Sequence, residues 1–184
     1  MIREVGRSAT SETAGALHWL ARNNWQKMEI AGFTLDVAQR TDVGRTRANN
    51  EDSLLSVVPE DGQALREKGA LFVVSDGIGG RNVGKVASAL AVQTVRESFY
   101  SSLQEDDIPT ALRDAFQAAN IAIRQASAPR HELGATCVAV VVRDQTLTVA
   151  NVGDSRAYVL HNGQLRQITH DHSLVAQLVE CGAT

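Results

Sequence analysis

The chain has 184 residues, a formal net charge of −3 at pH 7, and 43% hydrophobic and 21% charged residues. This is the composition of an ordinary globular domain, and the acidic balance argues against a general nucleic-acid binder, which is usually basic. The longest apolar stretch, CVAVVV at 137–142, is far too short to span a bilayer, so we expect no membrane partner. Cys137 and Cys181 lack metal-ligand spacing. Unpaired thiols are typical of the reducing cytoplasm, where we expect the protein.

Residues 1–30 carry the weakest pattern in the chain. A partial helical spacing joins Ala14, Leu17, His18 and Ala21. We interpret this segment as an N-terminal extension that packs on the domain, or as the product of a start codon assigned too early. The domain itself is expected over residues 31–184.

Strand and helix patterns are clear from Phe33 onward. FTLDVAQRTDVG and SLLSVV predict two strands, PEDGQALREKG a polar loop, and ALFVVSD a buried strand that ends on an acid. A helix follows, with one apolar stripe of Ala87, Leu90, Ala91, Val95 and Phe99. Pro109 begins a second helix at a position suited to proline. Its predicted buried face carries Leu112, Phe116, Ala119 and Ile123.

The last third of the chain predicts four strands with no helix between them. These strands are TCVAVVVR, LTVANVG, SRAYVL and LRQIT. Their connections are short, and Asn162-Gly163 is a strong hairpin signal. Because a parallel crossover needs a dozen or more residues, we expect an antiparallel meander. HSLVAQLVECG then predicts a final helix.

The glycine-rich segment VVSDGIGGRNVGK at 73–85 allows two interpretations. Gly79–Lys85 matches the G-x-x-x-x-G-K half of a P-loop, but Val86 follows where that motif requires Ser or Thr. P-loop proteins also build a parallel sheet, whereas an antiparallel one is expected here. Nucleotide binding is therefore a minor alternative. In the other interpretation, Asp76 binds a metal ion.

Acidic residues stand close to predicted strand ends at three places: Glu51-Asp52, Asp76 and Asp154. Carboxylates, carbonyl oxygens and water are the ligands that Mg²⁺ and Mn²⁺ prefer. Because adjacent side chains of a strand point to opposite faces, at most one of Glu51 and Asp52 can face the same ion as Asp76 directly. Each acid alone has an ordinary explanation, such as satisfying the N–H groups of a turn. Their combination favours a metal site.

Four segments in this order resemble the successive motifs of PPM-type (type 2C) metal-dependent protein Ser/Thr phosphatases, most closely the bacterial branch. The segments are TDVGRTRANNED, VVSDGIGGRNVGKVAS, GATCVAVVV and NVGDSRAYVL. The resemblance runs from about Phe33 to the end of the chain. It implies an α+β fold, a sandwich of two antiparallel β-sheets with helices on both outer faces (α-β-β-α), and a centre of two Mn²⁺ or Mg²⁺ ions.

The resemblance also implies roles for individual residues. The implied metal ligands are Glu51, Asp76, Gly77 and Asp154. Of these, Asp76 would bridge both ions, Gly77 would offer its carbonyl oxygen, and Asp154 would serve a water network or a weaker third ion. Asp52 would hold metal-bound water from outside. Arg47 would bind the substrate phosphate, since its planar fork can contact two oxygens; Arg47 and Asp76 are thus the implied catalytic residues.

Phosphomonoesters hydrolyse extremely slowly unaided, and a pair of ions can activate water and screen the phosphoryl oxygens. The implied partners are phosphorylated proteins, the targets of a bacterial Ser/Thr kinase.

Two departures from the family pattern stand out. Ile78 replaces a histidine of many eukaryotic members, and the family's last two metal aspartates have no counterpart after Asp154. We therefore expect the N-terminal portion of a phosphatase domain, incomplete at its C-terminus, or alternatively an inactive phosphatase-like binding module.

Overall fold

The computed structural model describes residues 2–4, 26–30, 33–79, 83–102, 107–127 and 133–182. Its strands are β1 Ile2–Glu4, β2 Gln26–Ile30, β3 Phe33–Val37, β4 Asp52–Val57, β5 Ala70–Ile78, β6 Gly134–Ala135, β7 Cys137–Arg143, β8 Thr146–Val152, β9 Tyr158–His161 and β10 Gln164–Gln167. Its helices are α1 Gly62–Lys68, α2 Val83–Ser101, α3 Ile108–Ala126 and α4 Leu174–Glu180. The expected α+β class, with antiparallel sheets and helices, is confirmed.

A six-stranded antiparallel sheet forms the centre of the molecule. Its strand order is β1-β8-β7-β5-β4, and the short β6 pairs with the end of β5. The strands β2 and β3 form a separate ribbon, as do β9 and β10. The β9–β10 hairpin turns at Asn162 and Gly163, whose φ angles are 50° and 72°, which is the left-handed geometry of a two-residue hairpin loop.

The predicted antiparallel pairing is found within β7–β8 and within β9–β10, but the meander is interrupted between β8 and β9, because β9 and β10 form a separate ribbon. Gly153 turns the chain with a φ of 89°. The chain beyond this turn is then bonded to the segment that follows β10: the Ile168 N–H donates to the Ala157 carbonyl oxygen at 2.9 Å, and the Ala157 N–H donates to Thr169 Oγ1 at 3.1 Å. These bonds continue the β9–β10 pairing beyond the ends of both strands.

The hydrophobic core lies between one face of the main sheet and the helices α2 and α3. The sheet contributes Leu71, Val73, Cys137, Ala139 and Val141, and the helices contribute Val92, Val95, Phe99, Ile108, Ala111, Leu112, Ala115 and Ala119. Both predicted apolar stripes are confirmed, although Leu90 and Phe116 are only half-buried. On the other face of the sheet, Val74 is 50% exposed. Alternation along β4 and β5 directs Asp52 and Asp76 toward that more open face.

The segment predicted as a polar loop contains the helix α1, so that prediction is wrong. Asp61 caps this helix, accepting hydrogen bonds from the N–H groups of Gln63 and Ala64, and Gly69 ends it with a φ of 79°. At the last turn, the buried Lys68 donates from Nζ to the carbonyl oxygen and the hydroxyl of Ser102, both at 2.9 Å. Capping, these bonds and a hydrogen bond from Arg143 Nη1 to the Glu67 carbonyl oxygen at 3.1 Å stabilise a helix that has no apolar stripe.

The weak helical pattern predicted within residues 14–21 lies outside the described residues, and the boundary at residue 30 stays a prediction. Two described strands fall before that boundary: β1 pairs with β8, and β2 pairs with β3.

Cys137 is buried and Cys181 exposed, and both are free thiols. Within the described part of the chain, no helix has the length and apolar character that a membrane span requires.

The end of β5 and the start of α2 approach each other too closely for any side chain. A Cβ added at Gly77 would lie 2.0 Å from the Gly84 carbonyl oxygen, and one added at Gly84 would lie 2.7 Å from the Gly77 carbonyl oxygen. These contacts involve backbone atoms, which cannot rotate away. Glycine at both positions therefore allows α2 to begin directly against the strand that carries Asp76.

We predict that Gly84→Ala destabilises the protein by about 1–3 kcal/mol, the usual cost of overpacking. The loss should occur even though alanine is the better helix former. Gly134→Ala is the matched control, because its added Cβ would meet the nearest atom at 3.7 Å, an ordinary contact; we expect a change within about 0.5 kcal/mol. Urea unfolding of the three proteins measures both effects. Equal stability of the two variants would contradict the close packing.

Candidate metal centre

Asp76 lies within β5 rather than at its end, so the prediction that the strand stops at this acid is wrong. The strand continues to Ile78 because Gly77 and Ile78 pair with Ala135 and Gly134 of β6. The turn begins only at Gly79, whose φ is 140°. Asp76 is consequently held by strand pairing on both sides.

The backbone around Asp76 is fixed by hydrogen bonds from two neighbouring segments. The Asp76 N–H donates to Thr136 Oγ1 at 3.0 Å, and the Asp76 carbonyl oxygen accepts from the Thr136 N–H at 2.9 Å. On the other side, the Gly77 N–H donates to the Glu51 carbonyl oxygen at 3.2 Å. The carboxylate of Asp76 therefore projects from a backbone with little freedom to move.

Asp52 is the acid that stands directly opposite Asp76. The two are paired across β4 and β5, and residues in this relation place their side chains on the same face. Although Asp52 as a residue is exposed, partial burial of its carboxyl raises its pKa; the charge of Asp76 and a hydrogen bond with the Asp76 carboxyl raise the pKa further. The charge of Arg47 acts in the opposite direction. Arg47 is thus near enough to Asp52 for the two charges to interact.

Glu51 has its carboxylate on the helix side of the sheet. This residue is only 9% exposed, and its Oε2 lies 2.7 Å from the position that a Cβ on Gly84 would take. The Ser88 hydroxyl of α2 donates to the Glu51 carbonyl oxygen at 2.6 Å. Glu51 and Asp52 therefore point to opposite faces of the sheet, as expected for adjacent residues, and Asp52 is on the same face as Asp76. Their separate roles at an ion remain a proposal.

One cleft of about 520 Å³ brings together most of the predicted site residues. It is lined by Arg47, Ala48, Asn49, Glu51, Asp76, Gly77, Ile78 and Gly79. Ile78 is 60% exposed at this cleft. Asp154 is exposed in the turn after β8 and is not among the lining residues. The cleft therefore unites the phosphate-binding candidate with three of the four candidate metal ligands.

The donor set of this cleft fits a hard divalent cation. Among the residues that the structure describes, no three Asp, Glu, His or Cys side chains gather closely enough to hold an ion. Mg²⁺, however, commonly binds through one or two carboxylates and keeps several waters. Glu51 and Asp76 bring two carboxylates to the lining of this cleft. Asp52 is not among the lining residues, but it faces Asp76 across the strand pair.

Sequence reasoning missed two residues that support this site, Thr136 and Ser88. Both are polar and buried, at 4% and 0% exposure, and both bond to the segments that carry the acids. The only signal for Thr136 was a hydroxyl residue immediately before an apolar strand. For Ser88, the signal was a serine within an otherwise small and apolar helix face.

We predict that, in the metal-free chain, Asp76→Asn lowers the pKa of Asp52 toward its ordinary value of 3.8, because the repelling charge is removed. Arg47→Ala should raise it, because an attracting charge is lost. Since the pKa is raised in the folded state, the stability contributed by Asp52 is present below the unfolded value and is lost as pH rises through the folded one. Titration of the carboxyl ¹³C signals measures these shifts. An unchanged Asp52 pKa in Asp76→Asn would contradict the pairing.

The chain resembles known proteins over most of its length. Residues 36–178 match the family model of protein phosphatase 2C. The serine/threonine phosphatase stp of Listeria welshimeri is 36% identical over 149 residues, which are 78% of this chain and 57% of that protein. The serine/threonine protein phosphatase PstP of Mycobacterium tuberculosis is 35% identical over 158 residues, which are 82% of this chain and 27% of that protein.

A solved structure confirms the expected fold. The catalytic domain of PstP, crystallised in complex with two manganese ions, superposes with a TM-score of 0.66 at 34% identity, over 79% of this chain and 59% of that one. The chain thus spans less than three-fifths of the length of each of these proteins. The family model and the bacterial relatives indicate the same family. The chain belongs to the protein phosphatase 2C (PPM) family.

Proposed function

We propose that this protein hydrolyses phosphoserine and phosphothreonine on proteins in a metal-dependent reaction. The observation that supports the proposal most is the facing pair of carboxyls, Asp52 and Asp76, of which Asp76 lines one cleft together with Arg47. The relatives described above are named as serine/threonine phosphatases, which favours an enzyme over an inactive binding module. Because the chain spans 57% of the Listeria protein, the activity is proposed for the protein to which the chain belongs.

The proposed cofactor is Mn²⁺ or Mg²⁺, bound as two ions with a weaker third. The manganese complex of the PstP catalytic domain supports this choice. The residues proposed to hold the ions are Glu51, Asp76, Gly77 and, for the third ion, Asp154, with Asp52 in the outer shell. Such ions, when bound, make water a better nucleophile and neutralise negative charge that develops on the phosphoryl group.

The residues of the chain itself would bind and orient the reactants. Arg47 presents a planar guanidinium at the cleft and can bind two phosphate oxygens at once. Asp52 can accept a hydrogen bond from the attacking water and thereby hold it beside Asp76. Ile78 has no ionisable group, so the proton that reaches the departing serine or threonine oxygen would come from water or from another residue.

The proposed partners are phosphorylated proteins, the targets of a bacterial Ser/Thr kinase. The cytoplasm is the proposed location, since the free thiols Cys137 and Cys181 are typical of a reducing compartment. Neither the net charge of −3 nor the composition of the cleft favours nucleic acid as a partner.

We predict that Asp76→Asn lowers kcat for a phosphoserine peptide by at least about 100-fold, because it removes charge from the position where the ion must be held. The assay uses the protein from its complete reading frame with Mn²⁺. Asp144→Asn is the matched control: this exposed turn residue has a φ of 54°, which asparagine tolerates, and its activity should equal that of the wild type. Undiminished turnover by Asp76→Asn would rule out the proposed metal role.

We predict that Arg47→Ala raises KM for the same peptide by about 10–100-fold, which corresponds to the loss of a charge-assisted hydrogen bond. Arg124→Ala removes an equal charge from the exposed last turn of α3 and should leave KM unchanged. Steady-state kinetics over a range of peptide concentrations give KM for each variant. If both arginine variants changed KM equally, the effect would be one of general charge, and the specific role of Arg47 would be disproved.

A further inference from the structure

We infer that Thr136 is a positioning residue that joins the strand carrying Asp76 to the turn carrying Asp154. The inference rests on the proposed function, in which both acids serve the same metal centre. Thr136 lies between β6 and β7 and is only 4% exposed, so its own side chain has no access to substrate. Its effect on the site must therefore pass through the residues that it contacts.

The hydroxyl of Thr136 bridges the two segments. Its Oγ1 accepts from the Asp76 N–H at 3.0 Å, and the same atom lies 2.6 Å from Ser155 Oγ. A threonine hydroxyl has one proton and two lone pairs. Since Oγ1 accepts from an amide, its proton is available for Ser155, and the bridge runs from the Asp76 amide through Thr136 to Ser155.

The methyl group of Thr136 packs against the same turn. A Cβ added at Gly153 would lie 2.8 Å from Thr136 Cγ2, so the turn packs directly on this methyl group. The His172 N–H also donates to the Gly153 carbonyl oxygen at 3.0 Å. Asp154 thus sits between two residues that contact Thr136, and its position in space depends on that of Thr136.

The backbone of Thr136 is anchored independently of its hydroxyl. The Thr136 N–H donates to the Asp76 carbonyl oxygen at 2.9 Å, and the Ser75 hydroxyl donates to the Thr136 carbonyl oxygen at 2.6 Å. Both bonds use only the backbone of Thr136, so we expect them to persist when threonine is replaced by valine, which has nearly the same shape. Thr136→Val therefore removes the bridge and keeps the strand pairing.

The first test needs no metal and follows amide hydrogen exchange by NMR. Thr136→Val should speed exchange of the Asp76 amide by about tenfold or more, the equivalent of one lost hydrogen bond, and Ser155→Ala should speed it to a smaller extent. Thr148→Val, a change at another buried threonine of the sheet, should leave this amide unchanged. If Ser155→Ala also leaves the Asp76 amide unchanged, the turn and the strand are not joined, and the inference is wrong.

The second test measures the Mn²⁺ concentration that gives half of the maximal rise in the unfolding temperature of the full chain. Thr136→Val should raise this concentration about tenfold, which is the fold-change that one net hydrogen bond represents. Thr136→Ser keeps the hydroxyl and should therefore have a midpoint concentration close to that of the wild type. Thr148→Val should have the same midpoint as the wild type. A residue with a purely structural role would lower the unfolding temperature without moving this midpoint.

The outcomes separate the inference from the proposed function. If Asp76→Asn abolishes the Mn²⁺ response and Thr136→Val leaves its midpoint unchanged, the inference fails and the proposed function stands. If the wild-type chain and Asp76→Asn respond identically to Mn²⁺, the proposed function fails, and the inference fails with it. A raised midpoint in Thr136→Val, together with rescue by Thr136→Ser, supports both.

Discussion

The backbone of Asp76 is bonded on one side to Thr136 and, through Gly77, on the other side to Glu51, and the geometry of the cleft depends on these bonds. Because the strand cannot slip, the antiparallel register with β4 places Asp52 opposite Asp76. Partial burial raises the pKa of the Asp52 carboxyl, and the facing charge of Asp76 raises it further. The fold therefore holds two carboxyls close together, and such a concentration of negative charge favours the binding of a cation.

The glycines of the 73–85 segment have a structural explanation that differs from phosphate binding. Gly77 and Gly84 permit contact between a strand and a helix at backbone distance, and this contact brings the start of α2 against the Glu51 carboxylate. Ser88, one turn further along α2, bonds to the Glu51 carbonyl oxygen. The helix thus fixes Glu51, while the strand pairing fixes Asp52 and Asp76. An antiparallel sheet around this segment is also incompatible with the parallel architecture of P-loop proteins.

Apolar periodicity was enough to predict the major elements. The stripes of α2 and α3 and the strands β4, β5, β7 and β8 appeared where the patterns placed them, because burial determines both the pattern and the packing. The helix α1 was missed because it is stabilised by its caps, Asp61 and Gly69, rather than by an apolar face. The end of β5 was misjudged because its extension pairs with a strand of only two residues, β6, which gives no periodic signal.

The candidate site could be predicted as a set of residues but not as an arrangement. Alternation along a strand indicated that Glu51 and Asp52 diverge, yet only the pairing register identifies Asp52 as the neighbour of Asp76. Register depends on contacts between distant parts of the chain, which a local pattern does not contain. The same holds for Thr136, whose hydroxyl acts across 60 positions of the sequence.

The central claim is that Asp76 lies where a divalent cation binds. Crystals of the protein grown with Mn²⁺ and measured at the manganese absorption edge test it directly. We predict an anomalous peak within about 2.0–2.2 Å of an Asp76 carboxylate oxygen, the bond length of a small octahedral cation, and no such peak in Asp76→Asn crystals. A manganese peak bound elsewhere, or none in crystals of the wild-type protein, would contradict the account.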